Sequence, residues 1–167
     1  SDVTYLGNPN LKKANVQQEW TKEELLEYSR CMEDPLYFIQ NYVKIVSLDE
    51  GLVSFKMYPF QKEMVGTFHS NRFTICKLPR QSGKSTTVTA YILWLILFKD
   101  SQNIAILANK GSLARDLLSK IQFAYEYLPK WLQQGIVVWN KGNIELENSS
   151  KVVAAATSSS AIRGGSY

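Results

Sequence analysis

Residues Ile75-Cys76-Lys77-Leu78-Pro79-Arg80-Gln81-Ser82-Gly83-Lys84-Ser85-Thr86 decide how this chain is read. A short apolar run from Phe73 to Leu78 meets a turn at Gly83, and a long apolar stretch then continues to Phe98, the order strand, loop, helix. Within it, Leu78 to Ser85 fits the pattern Gly-x-x-x-x-Gly-Lys-Ser/Thr, except that Leu78 stands where the first glycine is usual. The chemistry explains the pattern. Gly83 lets the backbone turn so that the amides of Gln81, Ser82 and Gly83 converge on one phosphate, and the dipole of the following helix adds positive potential there. Lys84 reaches the β and γ oxygens as a point charge, the Ser85 hydroxyl can ligate Mg²⁺, and Thr86 sits where it could donate to the α-phosphate. Arg80, four residues before Lys84, can fold over the γ-phosphate and neutralise charge as it develops; its bland alternative is a salt bridge that stiffens the loop. A Gly-Lys-Ser tripeptide is common, and it is the strand before it and the helix after it that favour a site for ATP and Mg²⁺ over a mere helix start.

Working outward, the same alternation recurs. The helix is expected from about Lys84 to Phe98 and is apolar on nearly every face after Val88, so it should lie deep. Asn103 to Ala108 reads as a second buried strand, followed after Gly111 by an amphipathic helix to Tyr127, which Pro129 stops. Three short strands are expected at Ile136 to Asn140, Ile144 to Glu147 and Val152 to Ala156, joined by turns at Asn140-Lys141-Gly142 and Asn148-Ser149-Ser150. On the amino-terminal side, Leu52 to Met57 reads as a strand and Pro59 to Ser70 as a helix burying Phe60, Met64, Val65 and Phe68. Asp34-Pro35 opens a helix over Leu36 to Val43, and Thr21 with Glu24 forms a capping box for a helix reaching about Cys31. Residues 1 to 15 read as an extended arm. Strands alternating with helices predict an α/β fold with a parallel sheet flanked by helices, behind an amino-terminal helical arm.

Composition bounds the answer. The chain has 167 residues, 45% of them apolar, which suits one domain with a real core and is too little for two. Its longest apolar run, Ala90 to Phe98, is nine residues, too short to span a bilayer. Cys31 and Cys76 lie 45 positions apart with no metal-ligand spacing, the pattern of a reduced intracellular protein. Residues 1 to 75 carry 8 Lys+Arg against 10 Asp+Glu, and residues 76 to 167 carry 11 against 5, so the second part favours anionic partners, unless its lysines merely solubilise loops.

Three further segments bear on function. In Tyr58-Pro59-Phe60-Gln61, the Gln61 amide can pair with the N6/N7 edge of adenine while Tyr58 stacks on the base; alone it is also an ordinary first turn of a helix. The loop Ser158 to Gly165 should leave the same carboxyl edge of the sheet as the phosphate loop, and Arg163 there could face nucleotide, a neighbouring subunit, DNA or only solvent. Lys110, in Asn109-Lys110-Gly111-Ser112, could touch a phosphate backbone; a solvated loop is the simpler reading.

Pro79 to Ser85, Tyr58 to Gln61, Leu107-Ala108-Asn109-Lys110-Gly111, Trp139-Asn140-Lys141-Gly142 and Ile162-Arg163-Gly164 together resemble the large terminase subunit of tailed bacteriophages, particularly the T-even type. The resemblance implies the ATPase half of a DNA-packaging motor: a P-loop NTPase of the additional-strand catalytic glutamate (ASCE) type. It further implies a ring on the portal protein, a small terminase subunit as partner, double-stranded DNA as cargo and no membrane. Its setting would be the cytoplasm of an infected bacterial host, transiently on the procapsid portal. The loop arginine, thought to trigger hydrolysis in that family, maps to Arg80. In that family a Walker B strand ending in Asp-Glu follows the Arg-Gly element, and this sequence ends at Tyr167 before it, so the expectation is a partial ATPase domain with weak turnover. Its division would be an arm with helices over 1–50 and a nucleotide-binding core over 51–167. Val46-Ser47-Leu48-Asp49-Glu50 fits Walker B superficially but precedes the phosphate loop. Two other readings stand beside this one: a superfamily 2 helicase or translocase, and a nucleotide-dependent interaction module that binds without hydrolysing.

Overall fold

A computed structural model describes residues 4–17, 19–47, 51–54, 75–77, 82–108 and 110–156. The expected helix over Pro59 to Ser70, the phosphate-loop residues 78–81 and the loop from Thr157 onward lie outside the described residues.

Alternation of strand and helix builds the central layer. Strand β5 (Ile75–Lys77) leads to helix α3 (Ser82–Phe98), strand β6 (Asn103–Ala108) and helix α4 (Gly111–Glu126). A 3₁₀ turn (Lys130–Leu132) and strands β7 (Ile136–Asn140), β8 (Asn143–Leu146) and β9 (Lys151–Ala156) follow. These five strands form one sheet in the order β5-β6-β9-β8-β7. β5, β6 and β9 run parallel, whereas β8 and β7 are antiparallel to their neighbours. The expectation of a parallel sheet is therefore corrected to a mixed one. The reason is local: the turns after Asn140 and Leu146 are too short for a crossover, and a tight turn can only reverse a strand. β5 pairs directly with β6.

α3 carries the core. Val88, Ala90 to Trp94 and Ile96 to Phe98 are all buried, along with Thr87 and Thr89, because the helix packs on α4 and on the amino-terminal helices at once. The amphipathic α4 buries Ala114, Leu117, Leu118, Ile121, Ala124 and Tyr125 and lies against β6 and β9. Helix α1 (Lys22–Glu33) starts at the expected capping box, the Thr21 hydroxyl accepting from Glu24 N at 3.1 Å and the Glu24 carboxylate from Thr21 N at 2.9 Å. Helix α2 (Pro35–Tyr42) starts at Asp34, whose carboxylate accepts from the amides of Leu36 and Tyr37. Both helices face α3. Trp94 Nε1 donates to Cys31 O at 2.8 Å, and Phe98 meets Tyr28 and Phe38 edge-on.

The amino-terminal segment is more ordered than an extended arm. Strands β1 (Thr4–Tyr5) and β2 (Asn8–Lys12) pair antiparallel about a turn at Leu6-Gly7, where Gly7 has φ +79°. Strands β3 (Lys44–Ser47) and β4 (Gly51–Ser54) form a second separate hairpin. Val46 and Ser47, the start of the segment that superficially fits Walker B, sit in this antiparallel ribbon outside the central sheet, with Ser47 opposite Gly51, and Leu48 to Glu50 lie outside the described residues.

Candidate functional site at the carboxyl edge of the sheet

The register fixes where the loops of interest begin. Lys77 stands opposite Leu107, and Ala108 opposite Ala156. The carboxyl ends of β5, β6 and β9 thus share one sheet edge, the place where open α/β sheets bind ligands. From this edge the chain continues into residues 78–81, 109–110 and 157–167, which contain Arg80 and Gln81, Lys110 and Arg163.

Ser82, Gly83, Lys84 and Ser85 form the first turn of α3, and the backbone amides of Ser82, Gly83 and Lys84 belong to the set that has no partner within the helix, the set an anion can occupy. Thr86 is half-buried one turn in, and its carbonyl accepts from Thr89 Oγ1 at 2.9 Å. Lys110 is exposed at the amino end of α4, and its side chain makes no cap bond to that helix. Tyr58, Gln61, Arg80, Gln81 and Arg163 lie outside the described residues.

A cleft of about 470 Å³ borders this region, between β3, α3 and α4. Thr86, Thr89 and Ala90 form one wall, Val43, Lys44 and Ile45 a second, and Ser119, Lys120, Phe123 and Ala124 the third. Its lining is mainly apolar, with two cations and three hydroxyls, a composition suited to a ligand with an apolar body and negative charge. Lys44, Lys120 and Phe123 carry no signal in the sequence, because they sit on separate elements and no local spacing marks them. Among the described residues no group of three His, Cys, Asp or Glu side chains could hold a metal ion. None of the described helices is long and apolar enough to cross a membrane.

Fold and edge define a class: a mixed α/β protein in which a Gly-Lys-Ser segment opens the most buried helix beside a parallel strand. The family model described as terminase large subunit, T4likevirus-type, N-terminal, matches residues 75–167, more than half of the chain and all of the central sheet. The chain belongs to that family.

Proposed function

We propose that this chain is the ATP-binding motor domain of a viral terminase, a P-loop NTPase whose hydrolysis of ATP powers the packaging of double-stranded DNA into a procapsid. The observation that carries the reading is the coincidence of the Gly83-Lys84-Ser85 sequence with the first turn of α3, directly beyond the carboxyl edge that β5 and β6 share. Family membership sets packaging ahead of strand separation by a helicase.

In this reading the amides of Gln81, Ser82 and Gly83 wrap the phosphates, and Lys84 offsets charge on the β and γ oxygens. Arg80 approaches the γ-phosphate and stabilises the charge that develops as the bond to it breaks. Mg²⁺, which neutralises phosphate charge when bound, would be held by the Ser85 hydroxyl beside the phosphates. Thr86 closes the α-phosphate end. Tyr58 and Gln61 read the adenine. The exposed Lys110, and Arg163, are the residues through which the edge meets DNA or a neighbouring subunit of the ring, with the portal protein and the small terminase subunit as further partners.

Competition between nucleotides tests the reading at its base-specific end. A bidentate amide-to-adenine pair is worth about 1–3 kcal/mol of discrimination. Mg-ATP should therefore displace a fluorescent ATP analogue at roughly tenfold lower concentration than Mg-GTP, and Gln61→Ala should bring the two together. Equal affinities in the parent protein remove Gln61 from the site.

A further inference from the structure

The amino-terminal hairpin is held to the sheet by an arrangement that neither the family nor the nucleotide site explains. Its seat is the stretch Lys130 to Ile136 together with Glu147. Lys12 Nζ donates to Gln133 O at 3.3 Å, Gln133 Nε2 donates to Asn10 O at 2.9 Å, and Lys130 Nζ donates to Pro9 O. Lys13 makes a single bridge to Ile136, the first residue of β7, which is the last strand of the sheet on that side.

The clearest fit is at Gly135 and Glu147. One carboxylate oxygen of Glu147 accepts from Gly135 N at 3.2 Å, and the other accepts from Asn15 N at 2.6 Å, so a single side chain holds seat and arm together. Glu147 N also donates to Gly135 O at 2.8 Å, fixing the carboxylate's own backbone to the seat. A Cβ on Gly135 would come within 2.5 Å of Ala14 Cα and 2.8 Å of the Glu147 carboxylate. Glycine is required here because the arm's backbone passes where any side chain would be.

These contacts are mostly polar. Leu11 is the arm's fully buried apolar side chain, at 3% exposure, and Lys12 is buried beside it at 7%. Burial pushes the Lys12 ammonium below its ordinary pKa, with Glu147 acting in the opposite sense, so closure of the arm carries a desolvation cost that the core does not share. Segments docked through polar contacts and few apolar ones open with less free energy than the core. Edge strands need covering, and the arm covers the start of β7 beside the half-exposed Val137.

We propose that residues 4–15 are a detachable strap, latched by Glu147 on Gly135, which covers the start of edge strand β7 and opens independently of the rest of the molecule. Trypsin reads the opening directly, because Lys12-Lys13 is a cleavage site inside the strap. In the full chain, the fragment beginning at Lys13 or Ala14 should appear at a rate that changes little with low urea, since local opening exposes little surface. Gly135→Ala should raise that rate about tenfold or more, Glu147→Gln by a smaller factor, and both should leave cleavage within α3 and α4 unchanged. Sedimentation at rising concentration should show more self-association in both variants than in the parent.

Cleavage that rises with urea as steeply as global unfolding does would make the arm part of the core and overturn the proposal. Unchanged cleavage in Glu147→Gln would overturn it too, and that variant decides the matter if Gly135→Ala does not fold. A strap that opens with no rise in self-association would contradict its role as an edge cover.

Discussion

Ser150 shows how much a single small side chain can decide. It is fully buried, its Oγ donates to Lys99 O at 2.9 Å, and the same oxygen accepts from Gln102 N at 3.2 Å. Beside it, Asn148 Nδ2 donates to Ile96 O at 2.8 Å, and Ser101 N donates to Asn148 O at 3.0 Å. The carboxyl end of α3 would otherwise leave carbonyls buried without partners, and this turn supplies them. From sequence, Asn148-Ser149-Ser150 is legible as a turn, with Ser149 at φ +69° and the Asn148 side chain accepting from Ser150 N at 3.1 Å. Its service to a helix fifty residues earlier is not, because nothing local encodes which carbonyls will lie opposite. Ser150→Ala takes the acceptor from Gln102 N and leaves Lys99 O with only the 3.3 Å bond from Asn148 Nδ2, and should destabilise the protein by about 1–3 kcal/mol, measured as a lowered urea midpoint with an unchanged slope.

At the scale of elements, capping and periodicity within a few residues suffice to place α1, α2, α3 and α4. Asp34 is the sharpest case. Its backbone N–H donates to Arg30 O and ends α1, while its carboxylate accepts from Leu36 N at 3.1 Å and Tyr37 N at 3.2 Å and starts α2. Asp34→Ala should cost about 1 kcal/mol, and Asp34→Asn or Asp34→Ser should recover most of it, as thermal unfolding of the three variants would measure. The expected and observed starts of α3 differ by two residues, Lys84 against Ser82, and its depth is legible because a run from Val88 to Phe98 without a charge has no solvent face. The elements that sequence missed or misjudged are those made by pairing. β3 had no signal of its own beyond Lys44-Ile45-Val46, and it exists because β4 lies opposite, Ile45 facing Val53. The arm's strands are extended, as its composition suggests, and they pair locally about Leu6-Gly7, but the seat on Gly135 and Glu147 depends on residues more than a hundred positions away.

Across the whole molecule, the carboxyl edge shared by β5, β6 and β9 is legible from the alternation of strand and helix, whereas the strand order is not. The antiparallel direction of β8 and β7 follows from the short turns after Asn140 and Leu146. The 470 Å³ cleft was not legible, since it is assembled from three elements. Burial of ionisable groups gives the molecule a pH dependence of definite sign. The Cys31 thiol is pushed up from 9.0 to about 12 by burial, and Tyr91 is pushed up to about 12 by the same cause. Folded protein therefore keeps protons that the unfolded chain releases, so this contribution is full below pH 9 and is lost between about 9 and 12. Lys12 and Lys130, lowered by burial, act oppositely as pH approaches 10.5, but are outnumbered, because Tyr28, Tyr42 and Tyr125 are also raised. Urea midpoints should fall steadily above pH 9; a midpoint that rises through this window would contradict the burial of these groups. The central claim, that the turn before α3 grips the phosphates of ATP, is tested most directly by calorimetric titration of Mg-ATP into the parent chain and into Lys84→Ala. Loss of charge-assisted hydrogen bonds worth about 1.5–3 kcal/mol predicts that affinity falls roughly 10- to 100-fold with the unfolding midpoint unchanged. Equal affinity in the two proteins would contradict it.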